Sequence, residues 1–266
     1  MKASQVIRLG IFCFQLSLAI LAPANAKAEK AAPIIAVASN MRDTIEKVGR
    51  LFFEDTGLKV RFSFGSSGNL VRQILQGAPF EMFMSADEGY VFRIADAGKS
   101  SDRGNIYAFG RLVAFAPEKS SLKDFSFPED YSAAFGSQVK GRYAIANPEL
   151  APYGRAAKET LLHVGLWENM KPHLVYGENI SQTAQFSLSG SAIGGIIAYS
   201  QALMPRFTNS GTYKLIPQRF HKPLGQRMVL LSGASETTRQ FYGYLGRNSA
   251  MNIIRDSGYT LETQEE

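Results

Sequence analysis

The chain has 266 residues, of which 45% are hydrophobic and 20% charged, with a formal net charge of +6 and one cysteine. This length allows one large domain or two lobes of ordinary size. The mild charge, without blocks of like charge or a basic stripe with interleaved aromatics, excludes the composition typical of nucleic-acid-binding proteins. A single cysteine excludes an internal disulfide and a multi-cysteine metal site.

The first 26 residues have the pattern of a secretory signal peptide. Lys2 and Arg8 form the positive start, residues 9–22 form an apolar run, and residues 24–26 (ANA) form a small-x-small cleavage site. The run is shorter than the ~20 residues that a membrane-spanning helix needs. We therefore predict cleavage after residue 26, with Ala28 as the alternative. The exported chain then has a net charge of +4, because two basic residues leave, and no cysteine.

Apolar runs of strand type alternate with helical periods along the exported chain. Strands are predicted at 34–39, 59–64, 83–86, 111–117, 143–148 and 173–177. After the first strand, Met41, Ile45, Val48 and Phe52 recur at helical spacing, and Gly57 stands where a glycine would end the helix. The alternation predicts an α/β fold with right-handed crossovers and a mostly parallel sheet flanked by helices.

Two glycine-containing segments in the second half of the chain affect which helices and connections are predicted. Residues 236–259 have a helical period that predicts a terminal helix, although Gly243 and Gly246 argue against one unbroken helix. Residues 190–195 (GSAIGG) lack the lysine of a phosphate loop and the glycine spacing of a dinucleotide fingerprint. The second segment therefore predicts a tight helix-to-strand connection.

Two polar turns, ASN at residues 38–40 and SSGN at residues 66–69, each join a predicted strand to a predicted helix. Ligands of such sheets bind beyond the carboxyl ends of strands, and a helix N-terminus attracts anions through its unpaired N–H groups. Gly68 allows the backbone to approach a ligand, while Ser66 and Ser67 add hydroxyl donors. Ordinary helix capping by Ser and Asn is the alternative, and the pattern alone leaves both open.

Other chemistries find little support. The three histidines of the exported chain, His163, His173 and His221, have no metal-ligand spacing such as HExxH and are interpreted as surface or packing residues. Residues 65–69 miss the G-x-S-x-G spacing of a serine hydrolase by one residue. Asp87 has no evident catalytic partner and fits a helix cap or turn former. Catalysis is therefore not predicted.

Several segments together resemble the periplasmic molybdate-binding proteins of ABC importers, which have the type II solute-binding fold. They are AVASNMRDTIEKVGRLFFEDTG, FGSSGNLVRQILQGAPFEMFMSADE, ANPELAPYGRAAKETL, ENISQTAQF, GGIIAYSQA and FYGYL. Their order and spacing cover nearly all of the exported chain. The resemblance implies two lobes, each a mostly parallel sheet flanked by helices, with a ligand cleft between them. Lobe 1 would comprise residues 29–110 plus 225–266, and lobe 2 residues 111–224.

The resemblance also implies a site that surrounds a tetrahedral dianion with neutral hydrogen-bond donors. Ser39 matches the first ligand serine, and Asn40 beside it adds a main-chain donor and a candidate side-chain donor. Ser67 matches the second ligand serine. Tyr153 and Ile180, from the other lobe, match positions where the family uses a main-chain N–H. The only metal implied is that of the molybdate oxyanion itself.

Two departures from the family pattern concern this site. Many members have a tyrosine in the segment written here GGIIAYS, but Ala198 occupies that place and Tyr199 falls one later. The segment looks like the subgroup ending A-x-S-Q, in which the residue matching Asn40 compensates, so Asn40 is favoured over Tyr199 as the fifth donor. The pair Glu81-Met82 replaces the usual Asp-Leu or Asp-Val, and only a local effect is expected.

The resemblance further implies a binding protein rather than an enzyme, without a cofactor. It would act as a monomer that delivers molybdate or tungstate to the membrane permease of an ABC transporter. Two alternatives stay open: a type II binding protein for sulfate or a small organic anion, and an exported hydrolase that uses Ser67. An organic anion would normally bring an arginine or an aspartate into the cleft. The nearest candidate, Arg155, is interpreted as a surface residue.

Overall fold

The computed structural model describes residues 31–124, 126–137 and 140–261; the predicted signal peptide lies outside them. The strands are β1 Ile34–Ala38, β2 Arg61–Gly65, β3 Phe80–Ser85, β4 Asn105–Gly110, β5 Leu112–Pro117, β6 Tyr143–Ala146, β7 Leu174–Gly177, β8 Gly194–Ala198, β9 Gly211–Leu215 and β10 Leu224–Leu230. The helices are α1 Arg42–Thr56, α2 Ser67–Leu75, α3 Glu88–Asp96, α4 Glu129–Ser137, α5 Pro152–His163, α6 Trp167–Met170, α7 Ile180–Leu188, α8 Tyr199–Ala202, α9 Pro205–Thr208, α10 Glu236–Tyr244 and α11 Asn248–Asp256. Within this described part, no helix has the length and apolar character to cross a membrane.

The strands form two five-stranded sheets, and each sheet is the centre of one lobe. Lobe 1 contains the sheet β2-β1-β3-β10-β4, and lobe 2 contains the sheet β7-β6-β8-β5-β9. The chain passes into lobe 2 between β4 and β5 and returns to lobe 1 between β9 and β10. The predicted two-lobed α/β fold is confirmed, while the precise limits of the two domains stay a prediction.

Each of the two described sheets has four strands in one direction and one reversed strand, so the prediction of mostly parallel sheets is confirmed. β1 pairs in parallel with β2 and β3, and β6 pairs in parallel with β7 and β8. β10 and β5 run antiparallel to both of their neighbours. These two strands enter their sheets directly from the other lobe, without a helical crossover in the same sheet. The rule that predicts parallel neighbours therefore does not apply to them.

The predicted apolar face of α1 packs on the sheet of lobe 1. Ile45, Val48 and Phe52 are buried, and Gly57 ends the helix in the left-handed conformation at φ 72°, as predicted. The Phe52 and Phe241 rings meet edge to face with their centroids 5.2 Å apart. The opposite face of the sheet is covered by α2 and α3 through Leu70, Val71, Ile74, Val91 and Ile94. Both faces of this sheet are thus buried.

The end of the chain forms two helices instead of one terminal helix. α10 ends at Tyr244, α11 begins at Asn248, and Gly246 lies in the break. Glu81 fastens the start of α10 to β3, because its Oε2 accepts hydrogen bonds from the Ser235 N–H at 2.8 Å and the Thr238 Oγ1 at 2.6 Å. Glu81, which stands where the family usually has an aspartate, therefore bonds to the start of α10.

Candidate functional site

The two polar turns of lobe 1 lie side by side because their strands are parallel neighbours. β1 ends at Ala38 and β2 ends at Gly65, and these two residues are paired in register. Ser39 opens a short 3-10 turn that continues into α1, and Ser66 directly precedes α2. Both turns therefore stand at the carboxyl edge of the sheet, where ligands of α/β proteins bind.

The two serines of the second turn have different roles. The Oγ of Ser66 accepts a hydrogen bond from the Asn69 N–H at 3.4 Å and caps α2. Ser67 is the first residue of that helix and is buried, and its Oγ accepts from the Ala86 N–H at 3.1 Å. This bond uses a lone pair and leaves the hydroxyl proton of Ser67 for another acceptor. Capping thus belongs to Ser66, and Ser67 is the candidate donor.

Lobe 2 contributes two further helix starts. Tyr153 is the second residue of α5, and Ile180 is the first residue of α7. Asn179 caps α7, because its Oδ1 accepts from the Ser181 N–H at 3.0 Å. The first N–H groups of a helix have no acceptor within the helix. Those of Tyr153 and Ile180 can therefore be offered to a ligand.

The four helix starts border a small cavity. Its lining includes all five residues that the resemblance assigns to the anion, Ser39, Asn40, Ser67, Tyr153 and Ile180. The other lining residues are Ala38, Gly65, Ser66, Ala86, Ala151 and Pro152. Among the described residues, those that line the cavity are thus all uncharged. Helix N-termini and hydroxyls would have to bind an anion there without a cationic side chain.

Tyr199 does not line the cavity. It was a candidate fifth donor because it falls one residue after the place where many family members have a tyrosine. It is the first residue of α8, and its ring packs against the Tyr213 ring with the centroids 5.8 Å apart. Asn40 and Tyr153, the other two candidates, both border the cavity.

The Asn40 side chain is engaged in a buried network behind the cavity. Its Nδ2 donates to the Gln226 Oε1 at 2.8 Å and to the Tyr259 Oη at 2.9 Å. Both amide protons are therefore used within the protein, which leaves the main chain of Asn40 as its donor to a ligand. Ser39 is also engaged, because its Oγ donates to the Asn179 Oδ1 of lobe 2 at 3.2 Å.

The buried phenols beside this network are protonated at ordinary pH. Burial raises the pKa of Tyr153 well above its usual range, and the neighbouring Tyr259 and Tyr107 add to the rise. Burial also raises the pKa of Tyr259 to about 12, although hydrogen bonds with Ser200, Asn40 and Tyr153 oppose the rise. No negative charge of a phenolate therefore develops next to the cavity.

Sequence reasoning missed the residues that support the lining from behind. Gln226 and Tyr259 contact Asn40 across 186 and 219 residues of sequence, and Ser200 contacts it across 160. No local pattern signals contacts of this range. Asn179 does have a local signal, since an asparagine in front of a helix is a preferred cap.

Comparison with known proteins assigns the chain to a family. A profile described as bacterial extracellular solute-binding protein matches residues 34–260. The chain belongs to this family. Molybdate-binding protein ModA of Rhodobacter capsulatus is 35% identical to this solute-binding protein, over 97% of this chain and 98% of the relative. ModA of Escherichia coli K12 is 28% identical, over 92% and 95% respectively.

Solved structures of other solute-binding proteins share the fold. The periplasmic molybdate-binding protein of Azotobacter vinelandii matches with a TM-score of 0.78 and 28% identity, over 87% of this chain and all of that chain. The sulfate-binding protein SubI of Mycobacterium tuberculosis matches with a TM-score of 0.70 but only 12% identity, over 86% of each chain. The second likeness supports the fold alone.

The two lobes of this solute-binding protein contact each other around the cavity. The Gly68 N–H in lobe 1 donates to the Leu150 carbonyl oxygen in lobe 2 at 2.9 Å. The Ser181 Oγ in lobe 2 donates to the Ser39 carbonyl oxygen in lobe 1 at 3.0 Å. These bonds join residues next to the lining, so the lobes are closed over the cavity in this structure.

An ion pair also joins the lobes, and it adds an interlobe contact to Arg155, whose side chain is partly exposed. The Arg155 Nη2 lies 2.5 Å from the Asp87 Oδ2, and the two side chains are 39% and 10% exposed. Asp87 is at the same time the cap of α3, since its Oδ1 accepts from the Tyr90 N–H at 3.1 Å. The predicted capping role of Asp87 is therefore confirmed, and the pairing with Arg155 is an addition to it.

Proposed function

We propose that the protein captures molybdate or tungstate in the cavity and delivers it to the membrane permease of an ABC importer. The observation that carries the proposal is the uncharged lining, in which hydroxyls and helix N-termini from two lobes converge. Molybdate and tungstate are fully deprotonated near neutral pH and only accept hydrogen bonds. Phosphate carries a proton under these conditions and would want a carboxylate acceptor, which the lining does not offer.

The names of the relatives and the start of the chain support the transport part of the proposal. Relatives that cover nearly the whole chain are named molybdate-binding proteins. The first 26 residues have the pattern of a signal peptide, so we place the mature protein in the periplasm. It would bind one anion per chain as a monomer, and the closed form would be the one that the permease recognises.

An exported hydrolase that uses Ser67 is the rival from another class. A serine nucleophile needs a base within hydrogen-bond distance, and no histidine or carboxylate is among the described residues that line the cavity. His163 stacks on Phe220 with the ring centroids 4.7 Å apart, and the Nδ1 of His221 lies 2.8 Å from the Lys222 carbonyl oxygen. We therefore propose binding without catalysis.

Isothermal titration calorimetry of the mature protein, first freed of bound ligand, tests this function. Molybdate, tungstate, sulfate and phosphate are titrated in turn. Tight binding of one molybdate or tungstate per chain, with weak or no binding of the other two anions, is the expected result. Comparable binding of sulfate would leave the fold intact but change the substrate. If none of the four anions bound, the two polar turns would be interpreted as ordinary helix caps and not as a binding site.

Loss of the ion pair between Asp87 and Arg155 is expected to speed the release of bound molybdate about three- to fivefold, because the pair joins the two lobes. The substitutions are Asp87→Asn and Arg155→Gln, alone and together. Asparagine is itself a good helix cap, so the start of α3 is kept in the first variant. Stopped-flow fluorescence measures the release rate, and the double variant should release no faster than either single variant.

The pair formed by Arg103 and Asp96 provides the matched control. Its nitrogen and oxygen atoms are 2.6 Å apart, and both residues belong to lobe 1. Substitution of these two residues should leave the release rate of molybdate unchanged. If both pairs affected release equally, or if the effects of Asp87→Asn and Arg155→Gln simply added, the pair would have no special role in closure.

A further inference from the structure

The side chain of Gln226 is fully buried in β10, a strand with neighbours on both sides in the sheet of lobe 1. Its Oε1 accepts from the Asn40 Nδ2 at 2.8 Å. Its Nε2 donates to the Ala86 carbonyl oxygen at 3.2 Å and to the Leu224 carbonyl oxygen at 3.0 Å. A buried amide is tolerated only when its donors and acceptor are used in this way. Gln226 therefore has one fixed orientation.

These bonds connect the two anion-binding turns of lobe 1. Asn40 belongs to the first turn and is held by Gln226, which also holds the carbonyl group of Ala86. The N–H of the same Ala86 donates to the Oγ of Ser67 in the second turn, at 3.1 Å. A continuous chain of contacts thus runs from one turn to the other through the Gln226 side chain. The register of β1 and β2 brings the two turns together, and the Gln226 side chain bonds to groups next to both of them.

Tyr259 fixes Asn40 from a second direction. The Tyr259 Oη donates to the Asn40 carbonyl oxygen at 2.9 Å and accepts from its Nδ2 at 2.9 Å. It also lies 3.2 Å from the Ser200 Oγ of lobe 2. Gly110, in the neighbouring strand β4, leaves little free space beside Gln226. A Cβ at Gly110 would collide with the Tyr153 Oη and lie 3.0 Å from the Gln226 Nε2. The first turn is therefore held rigidly on the side away from the cavity.

We propose that Gln226 is a positioning residue that sets the spacing of the two turns and thereby the preference for molybdate over the smaller sulfate. The inference rests on the proposed function. Hydrogen bonds weaken steeply when the distance grows, so donors held at a spacing that suits the larger anion cannot all reach sulfate. A site without this support could contract around sulfate. Rigid support from behind the ligand-binding residues is what keeps such a geometry.

The variant Gln226→Met tests this role, because methionine has a similar length and cannot make the three hydrogen bonds. Calorimetry measures molybdate binding, and displacement of molybdate measures sulfate binding. We expect molybdate affinity to fall about tenfold, and the molybdate-to-sulfate affinity ratio to fall by about the same factor. The ratio is decisive, since a loss of stability alone would weaken both anions equally. The shorter amide of Gln226→Asn should change the ratio in the same direction and serves if the first variant does not fold.

Tyr107→Phe is the matched control. Tyr107 lies in β4, whose next residue, Ala108, pairs with Gln226. Its buried hydroxyl has no hydrogen-bond partner among the described residues. This variant should keep the affinity ratio of the wild-type protein. A wild-type protein that binds molybdate, combined with an unchanged ratio in both Gln226 variants, would overturn the positioning role alone. A wild-type protein that binds no molybdate would overturn the proposed function and this inference together.

Discussion

Replacement of Ser67 by alanine is expected to weaken molybdate binding roughly 10- to 150-fold, the effect of losing one hydrogen bond to a charged group. The Ser67 hydroxyl accepts from the Ala86 N–H, so its proton is directed to another acceptor, and the residue lines the cavity. Alanine removes this proton and also leaves the Ala86 N–H without its acceptor. The free energy of unfolding of the ligand-free protein should therefore fall by about 1 kcal/mol. Calorimetry and thermal unfolding measure the two effects.

Ser66→Ala distinguishes a ligand donor from a helix cap in the same turn. The Ser66 hydroxyl accepts from the Asn69 N–H, so its removal should lower the free energy of unfolding by about 1 kcal/mol, as loss of a cap does. Molybdate affinity should change far less than in Ser67→Ala. If Ser66→Ala lost as much affinity as Ser67→Ala, the donor would be wrongly assigned. If neither variant lost affinity, the turn would be two caps and no site.

Most interior strands with continuous apolar sequence could be predicted, whereas the interior strand β10, whose sequence is mixed, could not. β1, β3, β5 and β6 lie in sheet interiors and have mostly apolar residues, so their pattern is visible in the sequence. β10 is also interior, but it contains Gln226 and Arg227 in its middle. These polar side chains make tertiary contacts, since the Gln226 Oε1 accepts from the Asn40 Nδ2 and the Arg227 Nε donates to the Glu88 Oε2, both at 2.8 Å. Polar residues that make long-range contacts therefore interrupt the apolar pattern from which a buried strand is predicted.

The two sides of the candidate site differ in how far sequence can predict them. The residues that border the cavity stand at helix starts, and Ser39 and Ser67 follow predicted strands, so both turns could be located as candidates from local pattern. Tyr153 and Ile180 were named only through the family resemblance, although Asn179 in front of Ile180 is a preferred helix cap. Gln226 and Tyr259 lay beyond both approaches. Their contact with Asn40 exists only once the sheet and the end of the chain are assembled.

Gly68→Ala is expected to lower molybdate affinity about 10- to 100-fold without destabilising the ligand-free protein, because the new methyl group opposes closure of the lobes. Gly68 is the second residue of α2, and its N–H donates to the Leu150 carbonyl oxygen of lobe 2 at 2.9 Å. A Cβ there would lie 2.9 Å from that oxygen and 3.0 Å from the Tyr90 Oη. Overpacking of this kind typically costs about 1–3 kcal/mol. Tyr90 lies in α3 of lobe 1 and is present in both forms, but Leu150 belongs to lobe 2, so the clash with its carbonyl oxygen arises only in the closed form.

Helix propensity opposes the clash, because alanine stabilises α2 while the added methyl group destabilises the closed form. The expected loss is therefore one of affinity and not of stability. Alanine favours a helix over glycine by up to about 1 kcal/mol, so an open lobe 1 should be as stable as before or slightly more stable. Gly243→Ala in α10 is the matched control, since a Cβ there meets nothing within 4 Å; it should not change affinity.

Small-angle scattering with and without molybdate reports closure directly, and Gly68→Ala should compact less than the control. A variant that compacts and binds like the wild-type protein would mean that the Gly68 contact with Leu150 is absent from the ligand-bound state. Binding that weakens together with closure would show that the affinity of this site depends on the approach of the two lobes as well as on the donors that line it.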